Sequence, residues 1–197
     1  MENKALLQSF LSDFSGVSES DFQKGSEHWY TKTIKKGAFF NMQNFVCTDL
    51  GFITKGIFRI YYFDPEKQEE RNMFFFSEGQ FIVSFRSFIH QYPCIYFIEA
   101  IEDAEIIAIK YNNLHELYRN NKAWADFGRI LAELFFEYSQ ARMEELLFNS
   151  PEQRYVKLLD QHPKIMERVS LYHIASFLGI KNPSLSRIRK RLSGNRG

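Results

Sequence analysis

The sequence predicts an α+β fold in which an N-terminal β-barrel of jelly-roll type is followed by one long helix and a C-terminal pair of short helices. Between about residues 29 and 109, short runs of aromatic and β-branched residues alternate with turn residues, which is typical of a sandwich or barrel. Residues 122–148 contain no proline and a single glycine, Gly128, so they predict one continuous helix. The last 28 residues have the apolar and glycine spacing of two helices that cross at a tight turn.

The N-terminal segment is expected to place two short helices before the strands. Residues 4–14 form an amphipathic pattern, and Ser18 can cap a second short turn that reaches Phe22. The apolar side of the first helix consists of Leu7, Phe10, Leu11 and Phe14. The strand runs that follow are Trp29–Ile34, Gly51–Phe63, Arg71–Phe76, Gln80–Phe85, Cys94–Ile101 and Ala104–Ile109.

The apolar residues of the long helix predict two packing partners. Four of them follow alternating steps of four and three, the 3.5-residue period of a seam between two helices. A helix that packs only on its own domain has a wider stripe, and Ile130, Phe135 and Phe136 do widen this one. We therefore expect the helix to contact the β-domain and a second copy of itself at once. The expected dimer-interface residues are Phe127, Leu131, Leu134 and Tyr138.

A boundary follows the long helix. Ser150 can cap a new helix, Pro151 suits its first position, and Gln153 completes a capping box. This helix is expected to reach about Gln161, where a His-Pro pair stops it. A short helix over Tyr111–Asn121 precedes the long one. The predicted units are residues 1–121 for the barrel domain, 122–149 for the long helix and 150–197 for the C-terminal module.

The C-terminal helix pair gives the strongest functional signal. Ala175 is small where two helices cross closely, and Gly179 lies at the turn, where a positive φ is often needed. From Lys181 to Gly197 there are six Lys or Arg residues and no Asp or Glu, although the whole chain has a net charge of only +1. A solvated basic helix would explain the charge alone. The charge together with the helix-turn-helix spacing favours a helix that reads DNA.

Composition and motifs argue against several other classes. No apolar stretch approaches the roughly 18 residues of a membrane span, and the N-terminus lacks the features of a signal peptide, so a cytoplasmic protein without a membrane partner is expected. Cys47 and Cys94 have no metal-ligand spacing and are expected to be buried thiols. There is no His-x-His pair, no Gly-x-Ser-x-Gly motif and no glycine-rich phosphate loop, so neither an enzyme nor a metal or cofactor is expected.

With these features in this order, the chain resembles the Crp/Fnr superfamily of bacterial transcription regulators over nearly its whole length. In the barrel the resemblance rests on Phe52-Ile53-Thr54-Lys55-Gly56 and on Glu78-Gly79-Gln80-Phe81-Ile82, with a hairpin at Asp64 between them. Its strongest part is residues 174–192, where the matching residues are Ala175, Gly179, Leu185, Arg187 and Ile188.

The resemblance implies a homodimer in which a cyclic-nucleotide-binding-like barrel sets the geometry of two DNA-binding modules. It implies double-stranded DNA and RNA polymerase as partners and a small-molecule effector of unknown identity. Relatives that bind cyclic nucleotides have a Gly-Glu pair and then an Arg-Ser or Arg-Thr pair, whereas this chain has Val83-Ser84 and Cys94-Ile95. A cyclic phosphate without a guanidinium would lose charge-assisted hydrogen bonds of about 1.5–3 kcal/mol each. Binding of cyclic AMP or cyclic GMP is therefore not expected.

The recognition helix is expected at about Asn182–Leu192, and the resemblance places three side chains near base edges: Asn182, Ser186 and Arg187. Arg187 is the strongest candidate, because a bidentate Arg–guanine contact is the commonest specific contact, while Asn182 could read adenine. Other polar residues are expected to contact phosphate and so to set the register on DNA. These are Ser170, Tyr172, Lys181, Ser184 and Lys190.

Two functional hypotheses from different classes follow from the sequence. The first is a sequence-specific, homodimeric transcription regulator. The alternative is a dimeric small-molecule-binding or protein-interaction protein whose DNA module no longer functions.

Overall fold

The computed structural model describes the backbone of residues 2–194 and the side chains of residues 4–192. Met1 and residues 195–197, which the predicted units include, lie outside this part of the chain. The strands are β1 (Trp29–Ile34), β2 (Phe39–Asn41), β3 (Asp49–Lys55), β4 (Phe58–Asp64), β5 (Glu69–Phe76), β6 (Phe81–Ile82), β7 (Phe97–Ala100) and β8 (Ala104–Lys110). The helices are α1 (Glu2–Ser15), α2 (Glu19–Gln23), α3 (Phe85–His90), α4 (Tyr111–Asn120), α5 (Lys122–Phe148), α6 (Pro151–Gln161), α7 (Ile165–Arg168), α8 (Leu171–Phe177) and α9 (Asn182–Gly194).

The strands form two antiparallel sheets of four strands each, in the orders β1-β8-β3-β6 and β2-β7-β4-β5. Between residues 2 and 194 no strand pairing closes them into one barrel. The α+β class is confirmed, and the predicted jelly-roll-like region consists of two open sheets, as in jelly rolls. An open arrangement leaves edge strands, and β5 is one of them, paired only with β4.

Two predicted strand runs are corrected by local geometry. The run Gly51–Phe63 is two strands, because the chain turns at Gly56, which has a φ of +98°. A Cβ atom on Gly56 would lie 2.6 Å from the Cβ of Ala104, so only glycine fits this turn. The run Gln80–Phe85 contributes only the short strand β6, since Phe85 already begins α3. Aromatic content alone could not distinguish the end of a strand from the start of a helix.

The predicted long helix is confirmed from Lys122 to Phe148. Asn121 caps it, because its Oδ1 accepts a hydrogen bond from the Ala123 N–H at 2.8 Å. The Asn121 amide also donates to Asp21 at 2.7 Å, and the Trp124 indole donates to the Asp21 carbonyl at 3.1 Å. Helix α2 therefore holds the first turn of α5 against the sheets.

The larger of two hydrophobic cores lies between α1, the sheets and the first half of α5. It contains several packed aromatic pairs: Trp29 stacks on Trp124 with centroids 6.1 Å apart, and Phe81 contacts Phe127 with centroids 5.4 Å apart. A smaller core lies among α6, α7, α8 and α9, and it includes Ile57 and Phe75 from the β-domain. None of the helices between residues 2 and 194 has the length and apolar character needed to cross a membrane.

Candidate DNA-binding interface

The C-terminal module contains a helix-turn-helix in which α8 is followed by a tight turn and then α9. Ser170 caps α8, since its Oγ accepts from the His173 N–H at 3.3 Å. The turn is a Schellman motif, because the Ile180 N–H donates to the Ala175 carbonyl and the Gly179 N–H to the Ser176 carbonyl, both at 3.0 Å. Gly179 has a φ of +69°, as this motif requires. The predicted glycine turn is confirmed.

Buried side chains of both helices set the direction in which α9 points. Ile174, Ala175 and Leu178 are buried under α9, and Leu185 and Ile188 of α9 are buried in return. The opposite face of α9 is therefore directed away from the module's core. Four of its exposed residues are among the predicted DNA contacts: Asn182, Ser186, Arg187 and Lys190.

The remaining predicted DNA contacts differ in their surroundings. Ser170 and Tyr172 are exposed at the start of α8, and Ser184 is half-buried. Lys181 is exposed but forms an ion pair with the Glu69 carboxylate of β5. Arg191, also on α9, pairs with Glu152 of α6 and is therefore engaged within the module.

Two buried arginines, which the sequence did not predict, hold the turn of the motif in place. The Arg142 guanidinium of α5 donates to the Phe177 carbonyl and stacks 3.7 Å above the Phe177 ring. The Arg154 guanidinium of α6 donates to the Leu178 carbonyl at 2.8 Å and to the Asn149 carbonyl at 2.7 Å. Both cations therefore lie at the C-terminal end of α8, where the helix dipole favours positive charge. Burial lowers the pKa of Arg142, although Glu145 opposes this shift.

The module packs against the edge strand β5 through α8. The Ser176 hydroxyl donates to the Glu70 carbonyl at 2.6 Å and accepts from the Asn72 N–H at 3.0 Å. The rings of Phe75 and Phe177 lie 5.2 Å apart. The helix that positions the recognition helix is thus bound to the β-domain by hydrogen bonds at a sheet edge and by buried apolar contacts with Ile57 and Phe75.

Charged groups add to this contact at two points. Arg59 of β4 is buried, bridges the Glu70 and Glu99 carboxylates at 2.5 and 2.6 Å, and donates to the Nδ1 of His173 at 3.0 Å. Arginine can only donate, so this Nδ1 is the unprotonated nitrogen of a neutral ring. Burial and then the charge of Arg59 lower the pKa of His173 to about 4. Farther along the chain, Arg168 forms ion pairs with Glu78 and Glu102.

The positions that the resemblance assigns to a cyclic phosphate hold no cation. Val83, Ser84 and Cys94 are buried, and the Cys94 Sγ accepts from the Asn41 amide at 2.9 Å. Arg86 lies nearby in sequence, but its side chain is exposed and lies over the ring of Tyr92. The described residues contain no group of three His, Cys, Asp or Glu side chains that could hold a metal ion.

The predicted seam residues of α5 lie in two different environments. Phe127 is 0% exposed and Leu131 is 3% exposed, because this chain's own core covers them. Leu134 and Tyr138 are half-buried against the same core. The exposed apolar residues of α5 are others: Phe136 (70% exposed), Met143 (56%) and Leu147 (68%) on one face, with Leu146 (49%) and Phe148 (77%) beside them. The 3.5-residue period therefore marks the contact with the chain's own domain, and other residues are open to a partner.

A groove of about 940 Å³ opens between β5, the second half of α5 and the turn before α9. Its walls include Phe74, Met143 and Ile180 on the apolar side, and Glu69 and Lys181 at its charged end. A smaller cavity of about 300 Å³ lies between β5, α5 and α6.

Comparisons with known proteins identify the fold. No family model matches the sequence, and no curated protein does so either. Among solved structures, the c-di-GMP-responsive global regulator CLP of Xanthomonas campestris is similar, with a TM-score of 0.68, 16% identity, and coverage of 90% of this chain and 93% of that chain. A protein from Eubacterium rectale assigned to the Crp/Fnr family of transcriptional regulators gives a TM-score of 0.73 at 17% identity, with coverage of 95% and 88%. The chain has the fold of Crp/Fnr regulators.

The β-domain is separately similar to known structures. A cyclic nucleotide-binding domain from Methylobacillus flagellatus gives a TM-score of 0.66 at 13% identity, covering 76% of this chain and 85% of that chain. The resemblance stated from the sequence is confirmed at the level of the fold. The order of a cyclic-nucleotide-binding-type domain, a long helix and a helix-turn-helix is confirmed with it.

Proposed function

We propose that this protein is a sequence-specific DNA-binding transcription regulator that acts as a homodimer. The observation that supports this most is the outward face of α9, where Asn182, Ser186, Arg187 and Lys190 are exposed on a helix that the Schellman turn and a buried apolar face hold in position. A helix in this setting can enter the major groove with its N-terminal half. The similarity of the fold to that of Crp/Fnr regulators supports the same function.

Within this proposal the side chains have separate roles. Arg187 contacts guanine and Asn182 contacts adenine at the base edges, with Ser186 beside them. Phosphate contacts set the register and come from residues at the start of each helix and near the end of α9. They are Ser170, Tyr172, Lys181, Ser184 and Lys190.

The homodimer is proposed through α5, at residues that partly replace those expected from the sequence. Phe136, Met143 and Leu147 are exposed on one face of the helix, and burying them against a second copy would remove a large apolar area from water. Leu134 and Tyr138 are half-buried and can lie at the edge of such an interface. A two-fold axis there would separate the two α9 helices by about one turn of DNA. A regulator of this kind works in the cytoplasm, with RNA polymerase and a small-molecule effector as its further partners.

Cyclic AMP is not proposed as that effector, because the expected phosphate position has Val83, Ser84 and Cys94 in place of a cation. Isothermal calorimetry should detect no binding of cyclic AMP tighter than roughly 100 μM, which corresponds to about −5.5 kcal/mol. A micromolar dissociation constant would contradict this assignment.

A mobility-shift assay on fragments of the source genome tests the main proposal. The protein should retard a small subset of fragments in the presence of excess random duplex DNA. Arg187→Ala should abolish that selection, and Glu116→Gln, on α4 of the β-domain, should leave it unchanged. Failure to select any fragment would favour the alternative, a dimeric small-molecule-binding or protein-interaction protein with a non-functional DNA module.

A further inference from the structure

The hairpin between β4 and β5 lies against the first turn of the recognition helix. We call residues 64–71 the acidic hairpin tip; its carboxylates are those of Asp64, Glu66, Glu69 and Glu70, and its cations are Lys67 and Arg71. Glu69 forms an ion pair with Lys181, the residue immediately before α9. Glu69, Glu70, Lys181, Asn182 and Pro183 all line one end of the large groove. The tip and the start of α9 therefore share one solvent-filled space.

This placement opposes DNA binding at Lys181. A phosphate that approached Lys181 would have to replace the Glu69 carboxylate, which already neutralises the ammonium group. The backbone next to Glu69 is held against α8, because the Glu70 carbonyl accepts a hydrogen bond from Ser176 while the Glu70 carboxylate pairs with Arg59.

The contacts that keep α8 on β5 include hydrogen bonds that can be exchanged, such as the bond from the Asn72 N–H to the Ser176 Oγ at the edge strand. Water can replace each hydrogen-bonding partner, so the net free energy of each is small. Ile57 and Phe75 are buried with Phe177 in the smaller core, and this apolar contact opposes release.

We propose that the acidic hairpin tip is an intramolecular competitor of DNA, and that α8 must leave β5 before the module binds DNA tightly. In the docked state Glu69 occupies Lys181, so a phosphate must displace this carboxylate to bind there. In the released state Lys181 is open to phosphate. This inference rests on the proposed function and concerns the regulation of the same DNA-binding surface.

The first test compares two charge-neutralising variants on the same hairpin. Glu69→Gln should tighten binding of a random duplex by about two- to fivefold at low salt, the range expected from an exposed ion pair. Glu66→Gln is the matched control, because the side chain is exposed and pairs with none of the described residues of α8 or α9. It should change affinity by less than about 1.5-fold, since its charge acts only through screened solvent. Equal effects of the two variants would overturn the proposal.

A double-mutant cycle identifies the group that Glu69 competes for. In a Lys181→Gln background, Glu69→Gln should give no larger gain in affinity than Glu66→Gln gives. A full gain in that background would show that Glu69 acts through general repulsion and not by occupying Lys181, which would overturn the proposed competition.

Hydrogen exchange at one amide tests release without relying on affinity. The Asn72 N–H is protected by Ser176 only while α8 lies on β5. Its exchange should accelerate when saturating duplex DNA is added to the wild-type protein. It should also accelerate about two- to fivefold in Glu69→Gln without DNA, and not in Glu66→Gln. Unchanged protection in saturating DNA would overturn the proposal. If no duplex binds at any salt concentration, the proposed function fails, and the exchange difference between the two variants still decides whether the hairpin holds the module.

Discussion

The two hydrophobic cores of this protein differ in how far each depends on the other region. The core of the β-domain mixes aromatic and aliphatic side chains from residues 7–131, with Trp29, Phe58 and Trp124 almost fully buried. The core of the C-terminal module is mostly aliphatic, and it includes Ile57 and Phe75 of the β-domain. About 45 residues bury too little surface to be very stable alone. The core of the β-domain is therefore formed without the module, whereas the core of the module needs side chains of the β-domain.

Helix α5 has one part buried in the β-domain core and another part exposed. Substitutions in these two parts should therefore give the largest difference in unfolding free energy. Leu131→Asp would put a carboxylate into the aromatic core and should cost the β-domain at least about 4 kcal/mol of unfolding free energy. Leu147→Asp, on the exposed face, should change the stability of the monomer by less than about 0.5 kcal/mol. It should, however, shift sedimentation from dimer to monomer. Urea unfolding and analytical ultracentrifugation measure the two effects. A Leu147→Asp protein that stays fully dimeric would place the dimer interface elsewhere.

Two glycines with positive φ provide the next contrast, one in each region. A Cβ at Gly56 would lie 2.8 Å from the Ala104 Cα, so Gly56→Ala should cost about 3 kcal/mol through strain and overpacking together. A Cβ at Gly179 would meet only the Arg154 guanidinium at 3.8 Å, so Gly179→Ala should cost about 1 kcal/mol from backbone strain alone. Chemical denaturation of both variants checks the order. If Gly179→Ala costs as much as Gly56→Ala, the module's turn is more constrained than its surroundings indicate.

Local and long-range features differed in how far the sequence could predict them. The ends of α5 and α6 were predictable because Asn121, Ser150 and Gln153 act on neighbouring backbone groups. The turn at Gly179 was predictable for the same reason. The division at Gly56 depends on Ala104, almost fifty residues away, and no local pattern reports that contact.

In the candidate DNA-binding site, too, the sequence predicts local features but not long-range contacts. The exposed face of α9 follows from its helical period, so Ser186, Arg187 and Lys190 could be placed outward from the sequence. The ion-pair partner of Lys181 could not be predicted from the sequence, because Glu69 lies on a strand that is distant along the chain. For the same reason the period of α5 could not assign each residue to one of the two expected partners, and Phe127 and Leu131 pack in the chain's own core. A periodic stripe shows that a face is buried but not which molecule covers it.

On α9, Arg187 and Lys190 should contribute to DNA binding in different ways. Arg187→Ala should cost about 1–3 kcal/mol at the cognate operator and relax preference at one base position in each half-site. Lys190→Ala should weaken cognate and random DNA alike and reduce the salt dependence by about one counterion for each phosphate that Lys190 neutralises. Titrations of both variants on both DNAs at two salt concentrations distinguish these results. Equal weakening of cognate and random DNA by Arg187→Ala would make it a backbone contact.

The smallest expected effect is a loss of stability at acidic pH, and it arises at the contact between α8 and the sheet. The pKa of His173 in the docked protein is lowered to about 4, first by burial and then by Arg59, with Glu70 opposing. The unfolded chain binds this proton near the usual pKa of about 6.5, so it holds more protons than the folded chain between these values. Stability should therefore be nearly unaffected above about pH 7 and should fall as the pH drops to about 5.

A matched variant separates this residue from the other histidines. Burial also lowers the pKa values of His115 and His162, so the wild-type pH dependence contains their contributions. His173→Gln removes only the part that arises at the contact between α8 and the sheet. Its urea-unfolding free energy should change less than that of the wild-type protein between pH 7 and pH 5. If both proteins lose the same stability, the His173 ring gains its proton without disturbing Arg59, and the docked contact is insensitive to pH in this range.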